Sequence, residues 1–398
     1  MPKVLIFIEK GKLAPTGGPS AVCYYYLQEL QKRGESKFYF LDDMNSNSTL
    51  HVKEAQMNSK HPKWIMKTYY FIKEIIKTNK LLGGNYPIVP FTKYNQYDII
   101  HFHDTRTMYL RRHELKNYAG KVVLQSHSPQ PLGHELYNVI PASVRFFVPF
   151  IRGRFEEMDK YAFERADYIV FPCEDAEEPY FNDWPYYKLI HKAKKENYRY
   201  ILTGIPSCSP KRNKEEVRTE LSIPISDFVV IYIGRHNEVK GYDSLKRIGF
   251  SFLGETQNNW VICAGKEAPL TRLNHPRWIE VGWTKDAHSY ISASDVFVLP
   301  NKETYFDIVM LEVLSLGKIV IASRTGGNKY FEKMGCEGVL LYDTEDEAVE
   351  LLNKVKQMTK EERILLGQKN KIFYEKYHTV ASMYDSYIAM LEDISKSL

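Results

Sequence analysis

The sequence predicts an α/β protein, doubly wound and built twice, and three observations carry that expectation. Apolar runs rich in Val, Ile, Phe and Tyr recur along the chain, each followed by a turn signal and then a helical pattern. Inside these runs the hydrophobicity is continuous rather than alternating, as strands buried on both faces require, and alternation with helices makes the sheets parallel. The length of 398 residues suits two or three domains of about 100 to 200 residues, each burying its own core.

In chain order the expected strands are VLIFIE (4–9), KFYFLD (37–42), DIIHFH (98–103), KVVLQSH (121–127) and YIVFP (168–172). A segment rich in Pro, Ser and charge follows at 200–227 and marks the division between the two sheets. Beyond it come FVVIYIG (228–234), WVICAG (260–265), WIEVG (278–282), VFVLP (296–300) and KIVIAS (318–323). Residues 344–398 carry no strand signal and read as two or three amphipathic helices. The expected domains are 1–205 and 206–375, with a terminal helix in 376–398 packing back on the first. Ligands of open α/β sheets sit beyond the carboxyl ends of the strands, so two such domains facing each other make a cleft.

Composition narrows the class. Hydrophobic residues at 44%, aromatics at 14% and charged residues at 26% exclude disordered, collagenous and disulfide-scaffold chains. Cys23, Cys173, Cys208, Cys263 and Cys336 are odd in number and widely spaced, which argues against a disulfide framework or zinc knuckle and for a reducing compartment. The apolar run before Glu9 and Lys10 is too short for a signal-peptide core, and no stretch approaches the roughly 18 residues of a membrane span. The expected location is cytoplasmic, with at most peripheral contact at the inner face of the membrane.

The net charge of +5 conceals an asymmetry. Residues 1–155 hold 22 basic and 11 acidic side chains, +11, and the remainder is −6. A basic half suits an anionic neighbour, and solvated Lys-rich helices account for it equally. Two segments concentrate the charge: HPKWIMKTYYFIKEIIKTNK (61–80), and SVRFFVPFIRGRFEEM, where Phe146, Phe147, Phe150 and Ile151 interleave with Arg145, Arg152 and Arg154. Basic helices with aromatic and apolar faces suit anionic lipid, although core helices also carry an apolar stripe. Nucleic-acid binding is disfavoured, since no recognised module appears. No G-x-G-x-x-G follows a strand, which argues against a dinucleotide-dependent oxidoreductase.

Two clusters carry candidate chemistry. After FVVIYIG, the pattern G-R-x4-K-G brings Arg235, Lys240 and Gly241 to the start of the next helix, where unpaired N–H groups and two cations make a seat for a diphosphate. A solvated charge pair is the competing reading. From Pro300 to Gly327, the run PNKETYFDIVMLEVLSLGKIVIASRTGG places Glu303, Thr304, Phe306 and Asp307 in a loop, Glu312 on the following helix, then a strand and a Gly-Gly turn.

Together these clusters resemble the nucleotide-sugar domain of retaining GT-B glycosyltransferases, family 4. The family's hallmark is two glutamates eight positions apart. Glu312 fits the second, which by resemblance accepts hydrogen bonds from the donor's ribose, and Thr304 stands where the first would be. Phe306 matches the family's aromatic residue, and Asp307 replaces its usual glycine. In the first half, Gly17 and Gly18 sit where the family's Gly-Gly loop approaches the donor phosphates and the acceptor, and DIIHFHD resembles its His-x-His strand. KVVLQSHSPQP resembles the next strand, which puts His127 in the cleft against the donor sugar. His101 and His103 read as structural histidines bonded to backbone carbonyls, with His103 and Asp104 at a strand end.

The resemblance implies transfer of a sugar from a nucleoside-diphosphate sugar, UDP-sugar first, to a saccharide acceptor, often lipid-linked, in surface polysaccharide assembly. Arg235, Lys240 and His127 are the expected catalytic residues. Gly17, Gly18, Glu303, Thr304, Phe306, Asp307 and Glu312 are the expected substrate contacts. None of the seventeen aspartates forms a D-x-D motif, and neither a metal nor a cofactor is expected. The other reading is a non-catalytic GT-B subunit that binds carbohydrate or assists another transferase, which Thr304 alone favours.

Overall fold

The computed structural model describes residues 2–7, 13–15, 18–34, 38–40, 72, 76, 94–140, 145–146 and 150–398. Among them the strands form two six-stranded parallel sheets. The first holds β1 (Val4–Phe7), β2 (Phe38–Phe40), β3 (Ile99–Phe102), β4 (Lys121–Gln125), β5 (Tyr168–Phe171) and β6 (Tyr198–Tyr200), in the order β2-β1-β3-β4-β5-β6. The second holds β7 (Phe228–Ile233), β8 (Asn259–Ala264), β9 (Trp278–Gly282), β10 (Val296–Leu299), β11 (Ile319–Ser323) and β12 (Val339–Tyr342), in the order β12-β11-β10-β7-β8-β9.

Continuous apolar runs become strands buried on both faces. Every residue of β1, β3 and β10 is buried. Two strands were not legible: β6 is the three residues YRY and β12 the four residues VLLY, each at a sheet edge and partly exposed. Short edge strands carry little of the apolar signal by which inner strands are read. The C-terminal stretch forms three helices, Glu345–Gln357, Lys360–Tyr377 and Val380–Ser395. The first two open with capping boxes, Thr344 with Glu347 and Thr359 with Glu362, which satisfy end groups the helices leave unpaired.

The chain divides into two compact units. The first comprises 1–171, 180–199 and 387–398, and the second 172–179 and 200–386. Tyr387 joins the first unit through its hydroxyl, 2.9 Å from His101 Nδ1, and through its ring, stacked on Tyr26 at 4.4 Å. The segment before β7 is fastened into the second unit by Arg218, which is fully buried. Its guanidinium donates to the carbonyls of Ala293, Pro224, Ile225 and Asp227 and reaches Asp295 at 2.7 Å. Asp295 in turn accepts from Val229 N in β7 at 2.9 Å. One buried cation thereby ties the linker to the central strand.

Removing Arg218 takes the side-chain donor from four backbone carbonyls and one of two cations from Asp295, which keeps Lys214 at 3.1 Å. Arg218→Met is expected to destabilise the second unit by about 3–5 kcal/mol, read by denaturant unfolding against the unaltered chain.

Candidate functional site

In the second sheet the first three strands run outward from β7 in one direction and the last three run from β10 in the other. The carboxyl ends of β7 and β10 therefore flank the switch point at which open α/β sheets bind ligands. Both sequence clusters arrive there. The loop leaving β7 is a compact turn, in which Lys240 N donates to Asn237 Oδ1 at 2.9 Å and Gly241 N to Glu238 O at 2.9 Å. Gly241, at φ 64°, heads the helix Tyr242–Glu255. A Cβ on Gly241 would lie 1.6 Å from the carbonyl oxygen of Pro300, so only glycine lets this turn press against the end of β10.

That approach sets Lys240 beside the second cluster. Its ammonium donates to Asp307 Oδ1 at 2.5 Å, and Asn301 Nδ2 donates to the other carboxylate oxygen. Arg235 is exposed at the end of β7. Thr304 is buried, and its hydroxyl has no hydrogen-bond partner. The loop carrying it is clamped against the Gly-Gly turn: Gly327 N donates to Thr304 O at 3.3 Å, and a Cβ on Gly326 would lie 2.0 Å from that oxygen. Glu303 is half-buried. Phe306 is buried in an aromatic cluster, 5.4 Å from Phe331 and 5.7 Å from His378. Glu312, in the second turn of the helix Ile308–Ser315, has its Oε1 3.8 Å from His288 Nε2.

Lys240, Asp307, Thr304 and Asn301 thus converge at the switch point. Asn301 and His288 were not singled out by sequence; only their places, after strand β10 and on the helix Ala287–Ala293 beside Glu312, give them meaning. Behind the Lys240 loop, buried His236 stacks on Tyr242 at 3.8 Å, and the Tyr242 hydroxyl donates to Glu280. Among the described residues no group of three or more His, Cys, Asp or Glu is placed to hold a metal ion.

In the first unit, Gly18 opens the helix Gly18–Lys32, and a Cβ there would meet nothing within 4 Å. Gly17 lies outside the described residues, as does the 61–80 segment apart from Ile72 and Ile76, both exposed. Asp104 caps the helix Thr105–Leu110, its Oδ1 accepting from Thr107 N at 2.7 Å. The expectation of carbonyl partners for His101 and His103 is corrected: both bond to side chains. His103 Nδ1 shares a hydrogen bond of 2.8 Å with His127 Nε2, and the rings of His101 and His103 lie 4.3 Å apart. Three imidazoles gathered at the ends of β3 and β4 have side-chain partners that strand spacing does not reveal.

Burial holds all three rings neutral, pushing His101 and His127 down to about 3 and His103 well below its usual range. Asp159 opposes them. It accepts from Thr105 Oγ1 at 2.6 Å and Gly133 N at 2.7 Å, and burial pushes its carboxyl up to about 7. The unfolded chain binds more protons at each histidine below pH about 6.5, so their contribution is present above that pH and is lost as pH falls toward 3. Asp159 contributes with the opposite sign between about 4 and 7. The first unit is expected to lose stability on acidification, with His127→Gln flattening the slope by about one proton and Asp159→Asn steepening it, in melts recorded across pH.

Residues 227–361 match the family model described as glycosyl transferases group 1. The lipopolysaccharide core biosynthesis glycosyltransferase LpsD of Rhizobium meliloti is 30% identical over 118 residues, 28% of this chain and 33% of that protein. The chain spans about a third of the length of the curated relatives it matches. Among solved structures, sucrose-phosphate synthase from Thermosynechococcus elongatus superposes over 100% of both chains with a TM-score of 0.65 at 17% identity. HepE of Anabaena, in complex with UDP-glucose, covers 99% of this chain and 100% of its own with a TM-score of 0.62 at 12% identity. Among the described residues no helix is long and apolar enough to cross a membrane. The chain therefore has the GT-B fold, and its residues 227–361 are similar to the glycosyl transferases group 1 family.

Proposed function

We propose that the chain is a glycosyltransferase that moves a sugar from a nucleoside-diphosphate sugar, UDP-sugar first, to a saccharide acceptor with retention at the anomeric carbon. The observation that carries this reading is the meeting of Lys240 and Asn301 on Asp307 at the switch point, with Arg235 at the end of β7, inside the segment the family model matches. HepE, of like fold, binds UDP-glucose, which supports the choice of donor.

The difficult step is departure of the diphosphate from an oxocarbenium-like carbon, and cations fixed where the charge develops lower that barrier most. Lys240 has three N–H donors, so it can keep Asp307 and still meet a phosphoryl oxygen. The start of the helix Tyr242–Glu255 adds the positive end of its dipole. The diphosphate's charge is thus assigned to protein groups, with no metal. Asp307 takes over from the glutamate absent at position 304: its carboxylate is held by Lys240 and Asn301, and the unpartnered Thr304 hydroxyl is left for the sugar. Glu312 is assigned to the ribose. His127, neutral at physiological pH, suits hydrogen bonding to a sugar hydroxyl rather than service as a cation.

A lipid-linked acceptor at an anionic membrane face is the finer reading of the substrate. Phe146 and Phe150 are 81% and 60% exposed, and Arg145, Arg152 and Arg154 lie in the same segment. The non-catalytic reading rests on Thr304, and Asp307 weakens it by supplying a carboxylate three residues away.

UDP at 100 times its dissociation constant is expected to stabilise the chain by about 2.7 kcal/mol in thermal melts. Arg235→Ala and Lys240→Ala should each lower turnover by about 100-fold or more. Asp307→Asn separates the roles, since it should impair transfer or donor hydrolysis while leaving UDP binding as tight or tighter. A chain that binds UDP-sugars yet neither hydrolyses nor transfers them would favour the non-catalytic reading. In vesicle sedimentation at low salt, the chain is expected to prefer anionic over neutral liposomes, and replacing Phe146 and Phe150 by Ser should weaken that preference.

A further inference from the structure

The segment that precedes β7 is pinned to two neighbouring helices of the second unit. Cys208 N donates to Ser315 Oγ at 2.9 Å on the helix Ile308–Ser315. Lys211 N and Arg212 N both donate to Ser289 Oγ at 2.9 Å on the helix Ala287–Ala293. Ser315 follows Glu312 by three residues and so lies on the same helix face, while Ser289 adjoins His288. The two pins therefore tie the helix that carries His288 and the helix that carries Glu312 to one short segment, and the His288 Nε2 to Glu312 Oε1 separation is 3.8 Å.

The remaining neighbours of this pair are already engaged. Asp286 accepts from Arg212 and from Ser289, so it does not compete with Glu312 for the imidazole. Both side chains are about one-third exposed or less, 34% and 28%, which leaves room for a ligand and removes part of the solvent screening. Cys208, by hydrogen bonding, and Glu312 after it push the His288 imidazole up to about 10, so it is a cation at physiological pH. A glutamate on a helix otherwise samples several rotamers, and a ligand that binds it must order them.

We propose that His288 is the positioning residue of Glu312: it holds one carboxylate oxygen and so leaves the other aimed at the ribose hydroxyls of the donor. This rests on the reading of Glu312 as the ribose acceptor, and it adds that recognition of ribose depends on a side chain that does not touch the nucleotide. Arg212 and Lys211, by anchoring the segment on Ser289, support the helix that carries His288.

Affinities for UDP and for its deoxyribose analogue, measured by calorimetry on the full chain, test the proposal. The native chain should prefer UDP by about tenfold, the worth of a hydrogen bond to a charged group. His288→Ala should remove most of that preference by weakening UDP, with the analogue little changed and turnover at saturating donor retained. His288→Gln, which keeps an N–H donor, should recover part of it. Equal weakening of both ligands, or an unchanged preference, in His288→Ala overturns the proposal, and His288→Gln serves the same comparison should the alanine variant fold poorly. Glu312→Gln separates the two readings. If it abolishes the preference while His288→Ala keeps it, positioning fails and the ribose assignment stands. If it leaves the preference intact, the ribose assignment fails and the proposal falls with it.

Discussion

In the second unit, β10 pairs with β7 through Val296 opposite Val230 and Phe297 opposite Ile231, and this parallel pairing holds the two halves of the sheet together. Its consequence appears at the carboxyl ends. The turn after β7 and the loop after β10 meet so closely that Gly241 has room for no side chain against Pro300, and Lys302 N donates to Val239 O at 3.0 Å across the same junction. Without that contact Lys240 and Asp307 would belong to separate loops. With it they form an ion pair at the switch point between the two halves of the sheet.

Charge in this chain serves different ends at different depths. Arg218, fully buried, is spent on carbonyls and Asp295 and holds the linker; it has no capacity left for a ligand. Lys240 is half-buried and keeps donors to spare, and Arg235 is exposed. The same gradient separates the histidines. His101 and His103 are buried and neutral, whereas His288, beside Cys208 and Glu312, is charged. The net figure of +5 records none of this.

Much of the switch-point cluster was legible as spacing. G-R-x4-K-G after a strand, and a glutamate in the second turn of a helix that follows another strand, place Arg235, Lys240 and Glu312 before any coordinate is known. The departures at 304 and 307 were equally visible, but their meaning was not. A threonine and an aspartate at those positions give no sign that one carboxylate is gripped by Lys240 and Asn301 while the hydroxyl stays unpaired. Phe306 shows the reverse, since its motif position suggests a ligand contact and its ring packs among Phe331 and His378. Edge strands β6 and β12 escaped notice because three or four half-exposed residues carry too little apolar pattern.

Sequence by itself determined the fold class, the number of sheets and the strand ends on which chemistry gathers, because burial on both faces demands continuous apolar runs and a strand-to-helix turn demands its glycine. Tertiary structure alone decided which side chains from distant segments share a charge or a proton. Lys240 and Asp307 are 67 residues apart and His101 and Tyr387 are 286 apart, and no local propensity encodes a hydrogen bond across such separations. His288 acquires its partner in the same way, through two helices whose relative placement is set by a linker pinned to Ser289 and Ser315.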